Sequence, residues 1–174
     1  GGEADLYLVM AKTDKTQGAR GVSSFLVEKG TPGFKFGKKE RKLGLRSSPT
    51  RELIFENCKV PVGHLLGQEG AGVRVAMGAL DGGRITTACV NLGPAMAAME
   101  NAISYSKTRI QFGKPICEFQ ALQFSFADMA TQLQAAKWMV YHAAYLMDQK
   151  PPATQACSMA KLFATEAAFQ VCHQ

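Results

Sequence analysis

The sequence lacks the residue patterns that mark the common metal, disulfide and membrane sites. Its five cysteines are odd in number and no two have C-x-x-C spacing, which argues against a disulfide framework and a zinc knuckle. A reducing compartment fits this cysteine pattern best. The three histidines are far apart, and no apolar run approaches the roughly 20 residues of a membrane span. A phosphate-cradling G-x-x-x-x-G-K-[ST] motif is also absent.

What is present is the composition of a folded protein. A length of 174 residues suggests one domain or two small ones. Hydrophobic residues make up 47% and charged residues 20%, so the chain can bury a sizeable core. The net charge of +6 permits an anionic ligand, but nucleic-acid binders usually concentrate their basic residues more tightly. The densest basic run, 38–42, is interrupted by Glu40, and we interpret it as a solvated loop or strand edge.

Residues 4–60 have the pattern of β-strands. Four short apolar runs recur every 10–15 residues or so, with Gly and Pro between them, which is typical of a small antiparallel sheet or barrel. These runs are Leu6–Met10, Val22–Val27, Phe34–Phe36 and Glu52–Glu56. The composition then shifts to Ala and Met. We therefore place a domain boundary near residue 65, which divides the chain into a β part, 1–65, and a helical part, 66–174.

The helical part begins with two predicted helices. The first runs from Ala71 to about Leu80, and a second starts near Arg84. The glycines at 82–83 are expected to break or bend the chain between them. Pro94 lies inside the second helix, where an interior proline is expected to kink the axis.

The third predicted helix has the clearest apolar pattern. Apolar residues step by three and four from Phe119 to Met147 without exception, and this seam would pack on a neighbouring helix at about +20°. Trp138, Tyr141 and Tyr145 lie off the seam. A second apolar face of this kind is usual for a central helix or an oligomer interface.

A run of Lys150, Pro151 and Pro152 is expected to end the third helix. A last helix then carries apolar residues at Met159, Leu162, Phe163 and Ala167. The predicted fold class is α+β, with a partial antiparallel β-barrel or sheet followed by an antiparallel helical bundle.

The segment between the second and third helices, Arg109–Gln120, concentrates groups that suit a ligand. Arg109 offers a planar, permanently charged fork that suits a phosphate. Gln120 can hydrogen-bond a ribose or pyrophosphate oxygen, and Phe112 and Phe119 can pack a flat ring or simply seal the corner. The alternative is an ordinary helix–helix loop with an Arg at a helix C-terminus.

The segment Asp81–Arg84 is a second candidate site. Its two glycines allow close backbone approach, and an Arg at a predicted helix start is opposed by the helix dipole. Either an anionic ligand or a local Asp81–Arg84 pair at a hinge would explain it. Three carboxylates within the helical patterns are interpreted as solvated or capping charges rather than as catalysts: Glu100, Asp128 and Glu166.

The same residues resemble those of the acyl-CoA dehydrogenase family. R-x-Q-F-G-x-P followed by x-Q-x-x-Q-F-x-x-A-D-M-A, here Arg109–Ala130, resembles the family's C-terminal helical domain. Gly1–Asp5 resembles the exit from the family's flavin-stacking segment, and Ser158–Thr165 resembles a later helix. Details at 37–40, 49–51 and 80–84 are similar to members that act on a short branched acyl-CoA.

This resemblance implies FAD as cofactor, oxidation of an acyl-CoA to its 2,3-enoyl form, and an electron-transfer flavoprotein as electron acceptor. It also implies a homotetramer in the mitochondrial matrix, or in the cytoplasm of a bacterium. From the charge, spacing and hydropathy described above we expect no nucleic acid, no metal and no membrane span. The FAD pyrophosphate and adenosine would be contacted across a dimer interface by Arg109, Gln111, Phe112, Phe119 and Gln120. The acyl-CoA cavity would be lined by Asp81, Gly82, Gly83 and Arg84.

The resemblance further implies that the catalytic glutamate lies beyond Gln174. We therefore expect an internal fragment with no catalytic residue of its own, which is inactive alone. Two alternatives remain. The chain can be a helical oligomerisation module without flavin that uses residues 119–147, or a family member that binds flavin and has lost catalysis.

Overall fold

The computed structural model describes residues 1–149 and 152–174 and confirms the α+β class. The chain divides into two compact units, Gly1–Met77 and Gly78–Gln174. Strands and helices follow in the order β1 Leu6–Lys12, β2 Val22–Glu28, β3 Phe34–Lys39, β4 Arg51–Phe55, β5 Leu65–Leu66, α1 Gly72–Thr108, β6 Ile110–Gln111, β7 Lys114–Pro115, α2 Gln120–Asp148 and α3 Thr154–His173.

The first unit contains two small antiparallel sheets. One has the order β1-β2-β5, and the other pairs β3 with β4. All four predicted strands are therefore confirmed. The two-residue strand β5 was not predicted, because a pair of leucines is too short to show an alternating pattern.

A small aromatic core holds these sheets together. Tyr7 of β1 and Phe34 of β3 are both buried, and their rings meet edge to face with centroids 5.1 Å apart. Phe34 also stacks on Phe55 at 4.7 Å. Aromatic pairs at these separations add to the stabilisation from burial, so the two sheets share one hydrophobic cluster centred on Tyr7, Val27 and Phe34.

The second unit is organised along α1, a single helix of 37 residues whose first six, 72–77, belong to the first unit. The predicted break at Gly82–Gly83 is wrong, because the helix continues through both glycines. Each interior glycine costs only about 1 kcal/mol relative to alanine, and an ion pair between Asp81 and Arg84, one helical turn apart, supports this stretch. The helix is also continuous through the exposed Pro94.

The seam predicted for α2 is confirmed at its centre. Met129, Leu133, Ala136, Val140 and Ala143 are all buried. They form one cluster with buried residues of α1 and α3. The helix ends at Asp148, and Lys150 and Pro151, predicted to end it, lie outside the described residues.

The buried side of α3 consists mainly of small residues. Its buried positions are Cys157, Ala160, Ala164, Ala167, Ala168 and Val171. By contrast, Met159, Leu162 and Phe163 are 51%, 63% and 38% exposed. Of the apolar positions named from the sequence, only Ala167 is buried, because small side chains let the backbones of neighbouring helices approach closely.

Substitutions on the buried and the exposed side of α3 should have different effects on stability. Ala164 is fully buried in the helical core, so Ala164→Leu should overpack it and lower the free energy of unfolding by about 1–3 kcal/mol. The exposed Leu162 provides the matched control, and Leu162→Ala should change the same quantity by less than about 0.5 kcal/mol. Urea unfolding of both variants measures the difference. Equal losses would contradict the assignment of the small-residue side to the core.

Candidate functional site

The segment between α1 and α2 folds as a tight β-hairpin. Strands β6 and β7 pair in antiparallel register. The two residues between them, Phe112 and Gly113, have φ angles of +52° and +80°, which is the left-handed combination of a type I′ turn. The amide of Ile116 donates to the carbonyl of Arg109 at 2.9 Å and closes the base of the hairpin. The corner is therefore a defined turn rather than an open loop.

Phe112 is an unusual residue for this turn. Positions of positive φ normally take Gly, Asn or Asp, and a residue with a bulky side chain pays roughly 1–2 kcal/mol there. Burial does not compensate for this strain, since Phe112 is 85% exposed. Its ring meets only the edge of the half-buried Phe119 ring, at 6.2 Å between centroids. Phe112 is not a core residue, and a strained, exposed ring is typical of a functional position.

The hairpin also presents positive charge. Arg109 is exposed, and neither ion pair found among residues 1–149 and 152–174 includes it. Lys114, on the opposite strand, lies with Nζ 4.6 Å from the centroid of the Phe119 ring, a cation–π contact. Lys114 was not predicted as a site residue. Its position as a second basic residue beside the turn could have indicated it.

The five residues predicted to bind the cofactor lie in this hairpin and at its junction with α2. Gln111 is on β6 and Gln120 begins α2, and both are exposed. An exposed guanidinium, two amides and two aromatic rings together can hydrogen-bond a diphosphate and pack a flat heterocycle. The chemistry of this donor set therefore fits the expected FAD.

The second predicted group lies on α1. Arg84 donates through Nη1 to Oδ1 of Asp81, and the hydroxyl of Thr154, the first residue of α3, donates to Oδ2 of Asp81 at 2.6 Å. The local Asp81–Arg84 pair, one of the two alternatives considered from the sequence, is therefore present. Thr154 was not predicted, because a contact over 73 positions leaves no pattern in the sequence.

Gly82 and Gly83 leave open space on α1 beside this ion pair. A Cβ atom built on either glycine has no other atom within 4 Å, apart from the helix's own neighbouring backbone. Neither glycine is therefore required by packing within the described residues. Their smallness is consistent with space kept for a group that is not part of this chain.

The two candidate groups lie far apart. Arg84 and Arg109 are 25 positions apart along α1 and the residue that follows it, which at 1.5 Å per residue is about 35–40 Å. A single copy of the chain therefore does not bring the two groups together around one ligand.

Other reactive groups in the second unit have ordinary structural roles. Cys157 is fully buried, and burial, assisted by the nearby Asp81 carboxylate, raises the pKa of its thiol. A thiol held in its protonated form is a poor nucleophile. The three helical carboxylates, Glu100, Asp128 and Glu166, are all exposed.

Neither a metal centre nor a membrane span is present in the described part of the chain. No group of three or more His, Cys, Asp or Glu side chains is placed to hold a metal ion among residues 1–149 and 152–174. Of the helices described, none is long and apolar enough to cross a membrane.

The fold and the hairpin together define an α+β protein with a candidate dinucleotide-binding corner. Residues 1–58 match the family model of the acyl-CoA dehydrogenase middle domain, and residues 70–174 match that of the acyl-CoA dehydrogenase C-terminal domain. The chain belongs to the acyl-CoA dehydrogenase family. The enzymes of this family are FAD-dependent flavoproteins, which confirms the cofactor that the resemblance implied.

Individual relatives are similar over nearly all of the chain. The mitochondrial isobutyryl-CoA dehydrogenase of Bos taurus is 50% identical over 175 residues, which is 100% of this chain and 42% of the relative. The solved butyryl-CoA dehydrogenase of Megasphaera elsdenii is 48% identical with a TM-score of 0.94, over 98% of this chain and 45% of that one. The chain thus spans less than half the length of these relatives.

A third similar chain comes from a structure of the electron transferring flavoprotein of Acidaminococcus fermentans, which concerns the mechanism of flavin-based electron bifurcation. It is 54% identical, with a TM-score of 0.94 over 98% of this chain and 45% of that one.

Replacing Phe112 should reveal the strain stored in the turn. Phe112→Asn places a residue that tolerates positive φ at this position, so the free energy of unfolding should rise by up to about 1 kcal/mol. Phe112→Leu is the matched control, since it removes the aromatic ring but keeps the unfavourable backbone angle, and it should give no gain. Chemical denaturation measures both. A less stable asparagine variant would mean that the ring itself holds the hairpin together.

Proposed function

We propose that this chain is part of a longer FAD-dependent acyl-CoA dehydrogenase that oxidises a short branched acyl-CoA, similar to isobutyryl-CoA, to its 2,3-enoyl form. The observation that carries the proposal is the hairpin, which exposes a guanidinium without an ion-pair partner among the described residues beside a strained, exposed aromatic ring. The branched substrate is proposed from the residues at 37–40, 49–51 and 80–84. The chain is 50% identical to the isobutyryl-CoA dehydrogenase of Bos taurus and 48% identical to the butyryl-CoA dehydrogenase of Megasphaera elsdenii.

In this proposal the hairpin binds the pyrophosphate and adenosine of FAD. Arg109 supplies a charge-assisted, two-pronged contact to phosphate oxygens, while Gln111 and Gln120 donate from their amides. Phe112 and Phe119 pack against the flat adenine ring. Bound FAD would supply the acceptor for the hydride that leaves the substrate, and these side chains would only hold and orient it.

The separation of the two groups on α1 supports an oligomer. About 35–40 Å of helix lies between Arg84 and Arg109, too far for both to act on the same reacting atoms. We infer that the hairpin contributes to the flavin site of a neighbouring subunit, in a homotetramer built as a dimer of dimers. Each active site is then completed only by assembly.

The segment Asp81–Arg84 would line the acyl-CoA cavity. Arg84 provides a permanent positive charge for an oxygen of the substrate, and its pairing with Asp81 fixes its direction. The open space beside Gly82 and Gly83 would accept part of the acyl-CoA. We propose that the base that removes the substrate proton is a glutamate outside these 174 residues, since the carboxylates on the helices at 100, 128 and 166 are exposed to water.

We further propose that residues 1–65 are the C-terminal part of the enzyme's middle β-domain, and residues 66–174 the N-terminal part of its C-terminal helical domain. Electrons would pass to an electron-transfer flavoprotein, which is supported by the similar chain from the Acidaminococcus fermentans structure. The enzyme would work in the mitochondrial matrix, or in the cytoplasm if the source is bacterial.

A second function is favoured by one observation. Trp138, Tyr141 and Tyr145 are 64%, 55% and 61% exposed along one side of α2, as in a helix that associates with another copy. A helical oligomerisation module without flavin would use this surface. Such a module would be associated in solution but colourless, whereas a flavoprotein would be yellow.

The hairpin's role can be tested on the complete enzyme. Arg109→Ala removes a charge-assisted contact and should weaken FAD binding by about tenfold or more, whereas Arg109→Lys keeps the charge without the fork and should lose less. Lys107→Ala removes the same charge from an exposed site nearby and should bind FAD normally. Flavin absorbance after desalting, and FAD titration of the apoenzyme, measure these effects. Equal losses at residues 107 and 109 would contradict a specific contact.

The glycines of α1 allow a second test. Gly83→Ala and Gly93→Ala both add a methyl group at exposed helix positions with no atom in the way, so each should raise the free energy of unfolding by about 0.5–1 kcal/mol. Only Gly83→Ala should narrow the proposed substrate cavity, raising KM for isobutyryl-CoA by roughly tenfold. Steady-state assays with isobutyryl-CoA and butyryl-CoA measure this. Unchanged KM in the Gly83→Ala enzyme would place the substrate elsewhere.

A further inference from the structure

Asp81 is the centre of a three-residue network in the second unit. Its Oδ1 accepts from Nη1 of Arg84 on the same helix, and its Oδ2 accepts from the hydroxyl of Thr154 on α3 at 2.6 Å. Each carboxylate oxygen therefore has a donor from a different helix. The network links two elements that are 73 positions apart in sequence.

Partial burial makes the Asp81–Arg84 ion pair stronger than a surface pair, whereas the hydrogen bond from Thr154 is exposed. The side chains of Asp81 and Arg84 are only 21% and 27% exposed, so water screens their interaction incompletely. The fully buried Cys157 lies one turn beyond Thr154 and carries no competing charge. The carboxylate also approaches the amino end of α3, where Ala153 offers no side-chain cap and a negative charge is favourable.

The network leaves different groups free on its two charged members. Each oxygen of Asp81 accepts one hydrogen bond, which fixes the carboxylate and leaves each oxygen one further acceptor site. Arg84 uses only Nη1 in this pairing, so Nε and Nη2 remain available to an incoming anion or carbonyl. Without Thr154, Arg84 would be the one hydrogen-bond partner left to the Asp81 carboxylate among residues 1–149 and 152–174, and the two side chains could rotate together.

We propose that Thr154 is a positioning residue of the acyl-CoA site: its hydroxyl fixes the Asp81 carboxylate, which aims the Arg84 guanidinium at the substrate. This inference rests on the proposed function, because it takes Arg84 as a substrate contact. It adds a residue from α3 to a site otherwise built on α1. Thr154 itself touches no reacting atom.

The test uses the complete enzyme with bound FAD. Thr154→Val keeps the shape but removes the hydroxyl, and should raise KM for isobutyryl-CoA by roughly two- to tenfold, with kcat and flavin content unchanged and Tm lowered by no more than a few degrees. Thr154→Ser restores the hydroxyl and should restore KM. Thr165→Val is the matched control, because its hydroxyl bonds only to carbonyls of its own helix. If the valine variant is unstable, Thr154→Ala repeats the measurement.

A double-mutant cycle tests whether Thr154 affects KM through Arg84 or independently of it. In an Arg84→Gln background the guanidinium is absent, so adding Thr154→Val should cause no further rise in KM. An equal rise in both backgrounds, or an enzyme with normal KM after Thr154→Val, would overturn the positioning role. A wild-type enzyme with FAD but no activity on acyl-CoA substrates would instead overturn the proposed function.

Discussion

The close packing of small side chains between three helices is the constraint on which the helical unit depends. Ala88 and Ala95 of α1, Ala136 of α2 and Ala160 and Ala164 of α3 are completely buried in one cluster. Such residues lose little conformational entropy on burial and let the backbones of α2 and α3 approach closely, but they leave no tolerance for larger groups. The contact between Asp81 of α1 and Thr154 of α3 depends on this packing, because it forms only when the two helices lie together.

The length of α1 sets the distance between the two candidate ligand sites of this unit. Its 37 residues carry the Asp81–Arg84 pair near one end and lead into the Phe112 hairpin at the other. Local strain at Phe112 and interior glycines at 82 and 83 each cost stability, and the shared core offsets them. A helix that spans two proposed ligand contacts about 35–40 Å apart is in keeping with the proposal that neighbouring subunits complete each active site.

Much of this architecture follows from local patterns. The α2 seam was predicted because apolar residues repeat at helical spacing, and Met129, Leu133 and Val140 of that seam are buried. The strands were predicted because short apolar runs alternate with Gly and Pro. The break at Gly82–Gly83 was wrong, since the cost of two glycines is smaller than the stabilisation of a continuous, packed helix. The exposure of Leu162 and Phe163 was not foreseen either, because hydrophobicity alone does not show that a close helix contact selects alanine.

By itself the sequence determined the α+β class, the apolar seam of α2, the family and the residue types that suit FAD, since each depends on residue type and near-neighbour spacing. The tertiary structure decided which side of α3 is buried, that Phe112 is strained and exposed, and that Thr154 reaches Asp81. These features depend on backbone angles and on contacts between residues far apart in the chain. Residue type and local spacing carry no record of such contacts, because they form only when the helices pack.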